Sequence, residues 1–562
     1  MYYQYSPKGY LRIIGKAATH AGIHILRIRS LLTNWNFLPM FIQVLLMKGK
    51  TTILWLEDLN INPTEIFIDD AFFYKGILPK DFPRNNMEVA PGSDVPIQQH
   101  PDNPHVFLWK GKAKVFIASS EHYGALINKD FDYDNYFVTL KNAGLVHTRM
   151  FLGDYLEGPD AFGGILKGVN TLEPAPGKFI CPWARSNESG FARGGNKFDL
   201  DRWDPEYFSR LHDLFKKAEK NDVTIEAMLF FVGPSWDIMP LNPMNNINNT
   251  EQVGNKGYLV VRNGSKIMKY QEAYVRKMVH ELNQYDNFFW NVSNEPWLFN
   301  SVSLDGKEQQ WSGIEMLNET KAFVQIVAGW IKEEEAKLPK KHLIGVDITN
   351  EGHLIKQSDL VTYYKDMDIL NVHYDTSAKS LDLNYFNIDK ILAFNETGLT
   401  TNKMDIRYRT DGWYYCMSGG GLYNNLDYTF FQGGYENGTH DPVFPGWYKG
   451  CGDPKIKYQL GILQNFMDQL PLEKMFRDTT SCKNKDGRII SFKGNVYAAF
   501  FRDNGEVSPV FYLPPGTYKS EWINILTGKV EDTETFVHKG GNKTIKTHNR
   551  EGGGGALKIS RI

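Results

Sequence analysis

From about residue 96 the chain alternates short apolar runs with longer amphipathic ones. Residues 104–120 read as a hairpin turned at Lys110-Gly111-Lys112, and the second run, 114–118, supplies a first strand. Apolar runs at 144–152, 223–232, 287–292, 342–348, 367–372, 390–394 and 421–428 supply seven more. Helical spacing of apolar residues marks 206–220, headed by Asp204 as N-cap and Pro205 in the first turn. The same spacing marks 270–282, 319–336, 406–417 and 456–470. This alternation predicts an α/β protein, a (β/α)8 barrel with parallel strands inside and helices outside. A doubly wound open sheet is the architectural rival. No G-x-G-x-x-G opens a helix after a strand, which weakens its nucleotide-binding form.

After Pro471 the helical period ends. Short β-like runs at 489–492, 496–501, 510–513 and 518–525 are separated by Gly, Asn, Asp and Pro-Pro-Gly turns, predicting a separate antiparallel β-sandwich. The first 56 residues hold no Asp or Glu and seven basic residues, with an apolar run at 37–47. That run is too short to span a bilayer as a helix. It reads equally as the apolar part of a secretion signal lacking a convincing cleavage site, or as sequence ahead of a true start near Met47. The expected division is an N-terminal extension at 1–95, a catalytic barrel at 96–470 and a C-terminal β-sandwich at 471–562.

A chain of 562 residues is long enough for a large barrel core and smaller units beside it. The formal net charge of -2 gives no field favouring nucleic acid, and no partner of that kind is expected. Thirteen Trp and 29 Tyr suit a sugar-binding cleft, where flat side chains meet apolar pyranose faces, and equally suit a large core with aromatic loops. The four cysteines form no C-x-x-C pair, so no zinc or redox motif is visible, though a Cys416–Cys451 bridge is conceivable. No metal or organic cofactor is called for.

Two apolar strands end in a glutamate. Phe288-Phe289-Trp290-Asn291-Val292-Ser293 delivers Asn294-Glu295-Pro296-Trp297, and Ile391-Leu392-Ala393-Phe394 delivers Asn395-Glu396. In a barrel the C-terminal strand ends form the reactive face. A carboxyl group beside Trp297 in a partly dry cleft would have its pKa raised, as an acid catalyst needs. Asn294 is placed to bond a sugar 2-hydroxyl. Opposed carboxylates suit glycoside cleavage, retaining configuration at about 5–5.5 Å and inverting it at about 6.5–9.5 Å. Arg149 ends the second strand and His373-Tyr374 the sixth; a cation and a phenol near Glu396 would keep it ionised and oriented.

In these motifs the chain resembles the (β/α)8 glycoside hydrolases of clan A, which include the family 5 cellulases and mannanases. Asn294-Glu295-Pro296 is similar to their strand-four acid/base motif, Glu396 to the strand-seven nucleophile, Arg149 to the strand-two arginine and His373-Tyr374 to the strand-six pair. The resemblance covers roughly residues 96–470. It implies a retaining β-glycosidase with Glu295 as acid/base, Glu396 as nucleophile, an oligo- or polysaccharide substrate and an extracellular or periplasmic setting, with the cytoplasm left open. Two departures stand out. His373 and Tyr374 are adjacent, whereas many relatives space them by one residue, so which of them meets the nucleophile is open. Asn395 is often smaller in relatives. The tail, with Trp522-Ile523-Asn524 and Thr527-Gly528, resembles the β-sandwich modules that follow such barrels.

Further substrate-binding candidates are His122 and Tyr123 after strand one, Trp236 in the loop after strand three, Asn425 on strand eight and Trp447 in the loop after it. Each has a plain structural alternative, such as a buried histidine or a loop filling its own small core. Asp427 is a weaker candidate. Gly419-Gly420-Gly421 reads as close chain packing rather than a phosphate cradle. His280-Glu281 lacks the second His of a zinc-protease motif, and Glu333-Glu334-Glu335 reads as a solvated helix face. No G-x-S-x-G is present. The functional rivals are a carbohydrate-binding pseudoenzyme on the same barrel and a metal-using barrel hydrolase.

Overall fold

The computed structural model describes residues 95–562 except 165, 232–240, 255–265, 298–317, 351, 398–403, 441–452 and 485; before residue 95 it describes only short strand backbones. Two units are present, 1–87 and 88–562. In the first, Tyr2–Tyr5 pairs with Leu11–Ile14 and Ile42–Met47 with Thr51–Leu56, both antiparallel.

Eight parallel strands form one sheet: β1 (Phe116–Ser120), β2 (His147–Phe151), β3 (Thr224–Phe231), β4 (Phe288–Asn294), β5 (Ile344–Asn350), β6 (Ile369–His373), β7 (Ile391–Glu396) and β8 (Leu422–Leu426). Their order is β1-β8-β7-β6-β5-β4-β3-β2. The two ends of that order meet, since Thr148 Oγ1 on β2 reaches Ser120 Oγ on β1 at 3.4 Å. The intervening helices are α1 (Tyr133–Ala143), α2 (Pro205–Lys220), α3 (Lys266–Leu282), α4 (Asn318–Glu335), α5 (Gln357–Thr362), α6 (Lys379–Asn384), α7 (Met404–Met417) and α8 (Ile456–Asp468). This is the expected (β/α)8 barrel. Its strands are buried on both faces, and all eight residues of β3 are buried.

Local chemistry sets the elements. Asp204 caps α2, accepting from Glu206 N at 2.9 Å, and Tyr207, Leu211, Leu214, Phe215 and Ala218 turn inward. The periodicity missed α1, whose start is fixed by Asp132 and whose end is fixed by Gly144 at φ 78°. The hairpin expected at 104–120 is shorter: Phe107–Trp109 pairs with Lys112–Lys114, and the first barrel strand starts separately at Phe116. An antiparallel ribbon, Trp183–Ser189 with Asn196–Trp203, was also not foreseen.

The barrel interior is layered. At the N-terminal end Phe107 of the hairpin stacks on Phe116 at 4.3 Å, and His147 lies flat between Phe116 and Phe289. Ile369, Ile391, Ala393 and Leu422 complete this plug. Above it the interior turns polar, and above that lies the C-terminal mouth.

The expectation of a solvated face at residues 333–335 needs correction. Glu334 and Glu335 are buried, not solvated: Glu335 Oε1 accepts from Trp290 Nε1 at 3.1 Å and meets His342 Nδ1 at 2.7 Å, tying α4 to the barrel wall. The C-terminal strands are antiparallel, as expected, in a six-stranded sheet with two smaller pairs, and they pack on α7. Phe500 stacks on Trp413 of α7 at 5.9 Å, and Arg502 bonds Asp411 at 2.9 Å. Cys416 is a buried free thiol, while Cys451 lies outside the described residues. Among the described residues no helix is long and apolar enough to cross a membrane.

Candidate active site

Glu295 follows β4 and Glu396 ends β7, both at the C-terminal mouth. Glu295, His373 and Glu396 each offer an atom within 4.8 Å of the others. His373 Nδ1 lies 2.9 Å from Glu295 Oε1, and its Nε2 lies 3.0 Å from Asp347 Oδ2. The Tyr374 hydroxyl lies 2.9 Å from Glu396 Oε1 and 3.2 Å from Glu295 Oε1. Arg149 donates to Glu396 Oε2 at 2.7 Å, to Asn294 Oδ1 at 2.6 Å and to Asp347 Oδ2 at 2.7 Å. Both nitrogens of His373 are taken by carboxylates and a guanidinium sits on Glu396, so the donor set is an ion-pair network rather than a cation cage.

Adjacency in sequence is reconciled with convergence in space by the backbone. Neighbouring strand residues point to opposite faces. Glu295 adopts φ 45° and Tyr374 φ 57°, so each turns onto the same side as the residue before it. A register irregularity at Val372/His373 accompanies the second turn. Tyr123, after β1, adopts φ 61° and lies with its ring 4.6 Å from the Arg149 guanidinium. Three of the eight non-glycine residues with positive φ among the described residues thus border one site, each an unfavourable conformation held by its surroundings.

The two glutamates sit in unlike environments. Burial raises the pKa of Glu295; the hydrogen bond from His373 opposes that, and the negative charge of Glu396 adds to it. Glu396 instead meets the Arg149 guanidinium, Nη1 to Oε2 at 2.7 Å. His373 is pushed up to about 10, because the charges of Glu396 and Asp347 outweigh the burial that opposes its cation. Asp347 is held well below the usual carboxylate range: burial would raise it, but Arg149 and His373 prevail.

Sequence reasoning missed the layer beneath. Asn291, Asn371 and Asn395 each donate one amide hydrogen to Glu226 Oε1 and the other to Asp347 Oδ1, at 2.6–3.0 Å. Glu226, Asn291, Asp347, Asn371 and Asn395 are wholly buried. The available signal was a polar residue in the middle of an apolar stretch, as in Ile225-Glu226-Ala227 and Val346-Asp347-Ile348. A side chain of that kind facing a closed barrel demands partners. This layer also accounts for Asn395, whose amide spans Glu226 and Asp347.

The other candidates divide. His122 borders the mouth, 2.9 Å from the Tyr428 hydroxyl and 3.2 Å from Glu157 Oε1, which also accepts from Tyr155 at 2.6 Å. Trp297 is wholly buried and meets His373 edge-on at 5.1 Å, so it braces the histidine and presents no face to a sugar. Asn425 is wholly buried, its amide donating to Leu426 O at 3.3 Å, and is part of the wall rather than the open cleft. Trp236 and Trp447 lie outside the described residues.

Two further buried acids bear on stability. Burial pushes Asp154 up to about 8 and Glu121 up to about 7. Asp154 Oδ2 accepts from Phe231 N at 2.9 Å, and Oδ1 has no partner among the described residues. A raised folded-state pKa stabilises fully below the unfolded value, and that contribution is lost as pH rises through the folded value. For Asp154 the loss runs from about pH 4 to pH 8, at about 1.4 kcal/mol per pH unit. The fall in urea midpoint between pH 5 and pH 8 is therefore expected to shrink in Asp154→Asn; an unchanged fall would contradict this.

No protein-family model matches the chain, and no curated protein does. Solved structures do. A structure named for a proposed glycoside hydrolase of Bacteroides vulgatus is 12% identical, with 98% of each chain covered and a TM-score of 0.56. A family 5 glycoside hydrolase of the same organism is 12% identical, covering 84% of this chain and 94% of that one at TM-score 0.52. A third structure, named only as a glycoside hydrolase, is 12% identical over 84% and 98% at TM-score 0.53. At this identity the likeness concerns fold alone: the chain shares with those structures a (β/α)8 barrel, followed here by C-terminal antiparallel sheets.

Proposed function

We propose that this protein is a retaining β-glycoside hydrolase acting by double displacement. One observation carries the reading: two carboxyl groups from the ends of β4 and β7 offer oxygens within 4.8 Å at the barrel mouth, Glu295 with its pKa raised by burial and Glu396 bonded by the Arg149 guanidinium. A closest approach under 4.8 Å is in keeping with the retaining separation of about 5–5.5 Å rather than the inverting one of about 6.5–9.5 Å. The likeness to structures named as glycoside hydrolases supports the same class.

In the first step Glu396 attacks the anomeric carbon and the bond to the leaving oxygen breaks, with the Glu295 proton passing to that oxygen. In the second, water attacks the same carbon, gives its proton to Glu295 and returns the bonding pair to Glu396. Arg149 fixes the nucleophile. It also takes the Asn294 carbonyl, leaving the Asn294 amide to donate to a 2-hydroxyl. No cofactor enters. The substrate is a β-linked oligo- or polysaccharide.

Proton NMR of the first product from an aryl β-glycoside is expected to show the β anomer before mutarotation. An α anomer would reject double displacement. Inertness across β-glucosides, mannosides, galactosides and xylosides would favour the binding-protein alternative.

A further inference from the structure

The Tyr374 phenol is within hydrogen-bond reach of one oxygen on each catalytic candidate, at 2.9 Å from Glu396 and 3.2 Å from Glu295. A phenol has a single proton to donate. We propose that Tyr374 is a donor shared between the two carboxylates, its proton following the negative charge from Glu396 to Glu295 and back during each turnover. This rests on the retaining reading above.

Charge bookkeeping gives the direction. Before attack Glu295 holds the proton and Glu396 is the anion, so the phenol donates to Glu396. In the glycosyl-enzyme Glu396 is an ester, a weaker acceptor, and Glu295 is the anion. The phenol rotates about its C–O bond and donates to Glu295, stabilising it as the base toward water. When water delivers its proton to Glu295 and the C–O bond to Glu396 breaks, the donation returns. No atom of the phenol is gained or lost, and no further reactant is needed.

Three observations support the assignment. The left-handed backbone at Tyr374, φ 57°, swings the phenol between the carboxylates, and Tyr374 N bonds Glu396 O at 3.0 Å to hold that turn. His373 packs edge-on against the ring at 5.5 Å, restricting it. Burial, with the charges of Glu295 and Glu396, raises the Tyr374 pKa well above its ordinary value, so the phenol stays a donor throughout. The other donor on Glu396, Arg149, also bonds Asn294 and Asp347 and is held in place.

The test compares wild type with Tyr374→Phe on whichever 2,4-dinitrophenyl β-glycoside, gluco, manno or galacto, the wild type cleaves fastest. Such a leaving group makes hydrolysis of the glycosyl-enzyme rate-limiting. The acid limb of kcat/KM then reports Glu396 in the free enzyme, and the acid limb of kcat reports Glu295 in the intermediate. Losing a shared donor is expected to raise both limbs by about one unit. Movement of the kcat/KM limb alone would overturn the sharing and leave Tyr374 as a partner of the nucleophile only. Movement of neither would overturn it outright. An inert wild type would sink the hydrolase reading itself, a distinct result. Should Tyr374→Phe not fold, 3,5-difluorotyrosine at position 374 keeps the contacts with a stronger donor. Both limbs should then move down together, and movement of one alone would again overturn the proposal.

Discussion

Glu396→Ala is expected to lower turnover of any β-glycoside substrate by about four orders of magnitude or more, because it removes the carboxylate proposed to form the glycosyl-enzyme. The fold should survive. Arg149 loses one acceptor but retains Asp347 and Asn294, so its charge is not left buried without a partner. The thermal midpoint is therefore expected to move little while activity collapses. Added azide fits the space vacated by the carboxylate and should restore part of the rate on an activated substrate, giving an α-glycosyl azide. Activity within tenfold of wild type would reject Glu396 as nucleophile.

Glu295→Ala is expected to produce a loss that depends on the leaving group. Substrates with unactivated alcohols need the proton, and their kcat/KM should fall by about 10²–10⁴. A 2,4-dinitrophenyl glycoside needs little acid help in the first step. Its kcat/KM should be nearly retained while kcat falls, because the second step has lost its base. The high-pH limb should disappear with the residue. In the wild type, activity is expected to fall as pH rises through the raised pKa of Glu295, since the proposed acid must be protonated to act. A uniform loss across leaving groups, or a persistent basic limb, would move the acid/base role elsewhere.

Much of this was legible in the sequence, for physical reasons. Buried parallel strands must be apolar almost throughout, so all eight were located to within a few residues. A glutamate at the C-terminal end of such a run has one natural place, the barrel mouth. Less legible were features set by tertiary context. The short helices Gln357–Thr362 and Lys379–Asn384 carry too few turns for a period to emerge. The burial of Glu335 depends on Trp290 and His342, which are distant in sequence or on another element. Asp347 was passed over as one residue of a strand, although it joins both halves of the site through Arg149 and His373. The adjacency of His373 and Tyr374 left their partners open, because the left-handed turn that sends the phenol to both glutamates is a backbone feature no periodicity encodes.

The mechanism stands on Glu396 carrying the sugar. Incubation with a 2-deoxy-2-fluoro-β-glycosyl fluoride, followed by peptide mapping by mass spectrometry, tests this most directly. One adduct per chain, on the peptide containing Ile391–Glu396 and localised to Glu396, is the expected result. An adduct on Glu295 or any other side chain, or turnover with no adduct at all, would contradict it.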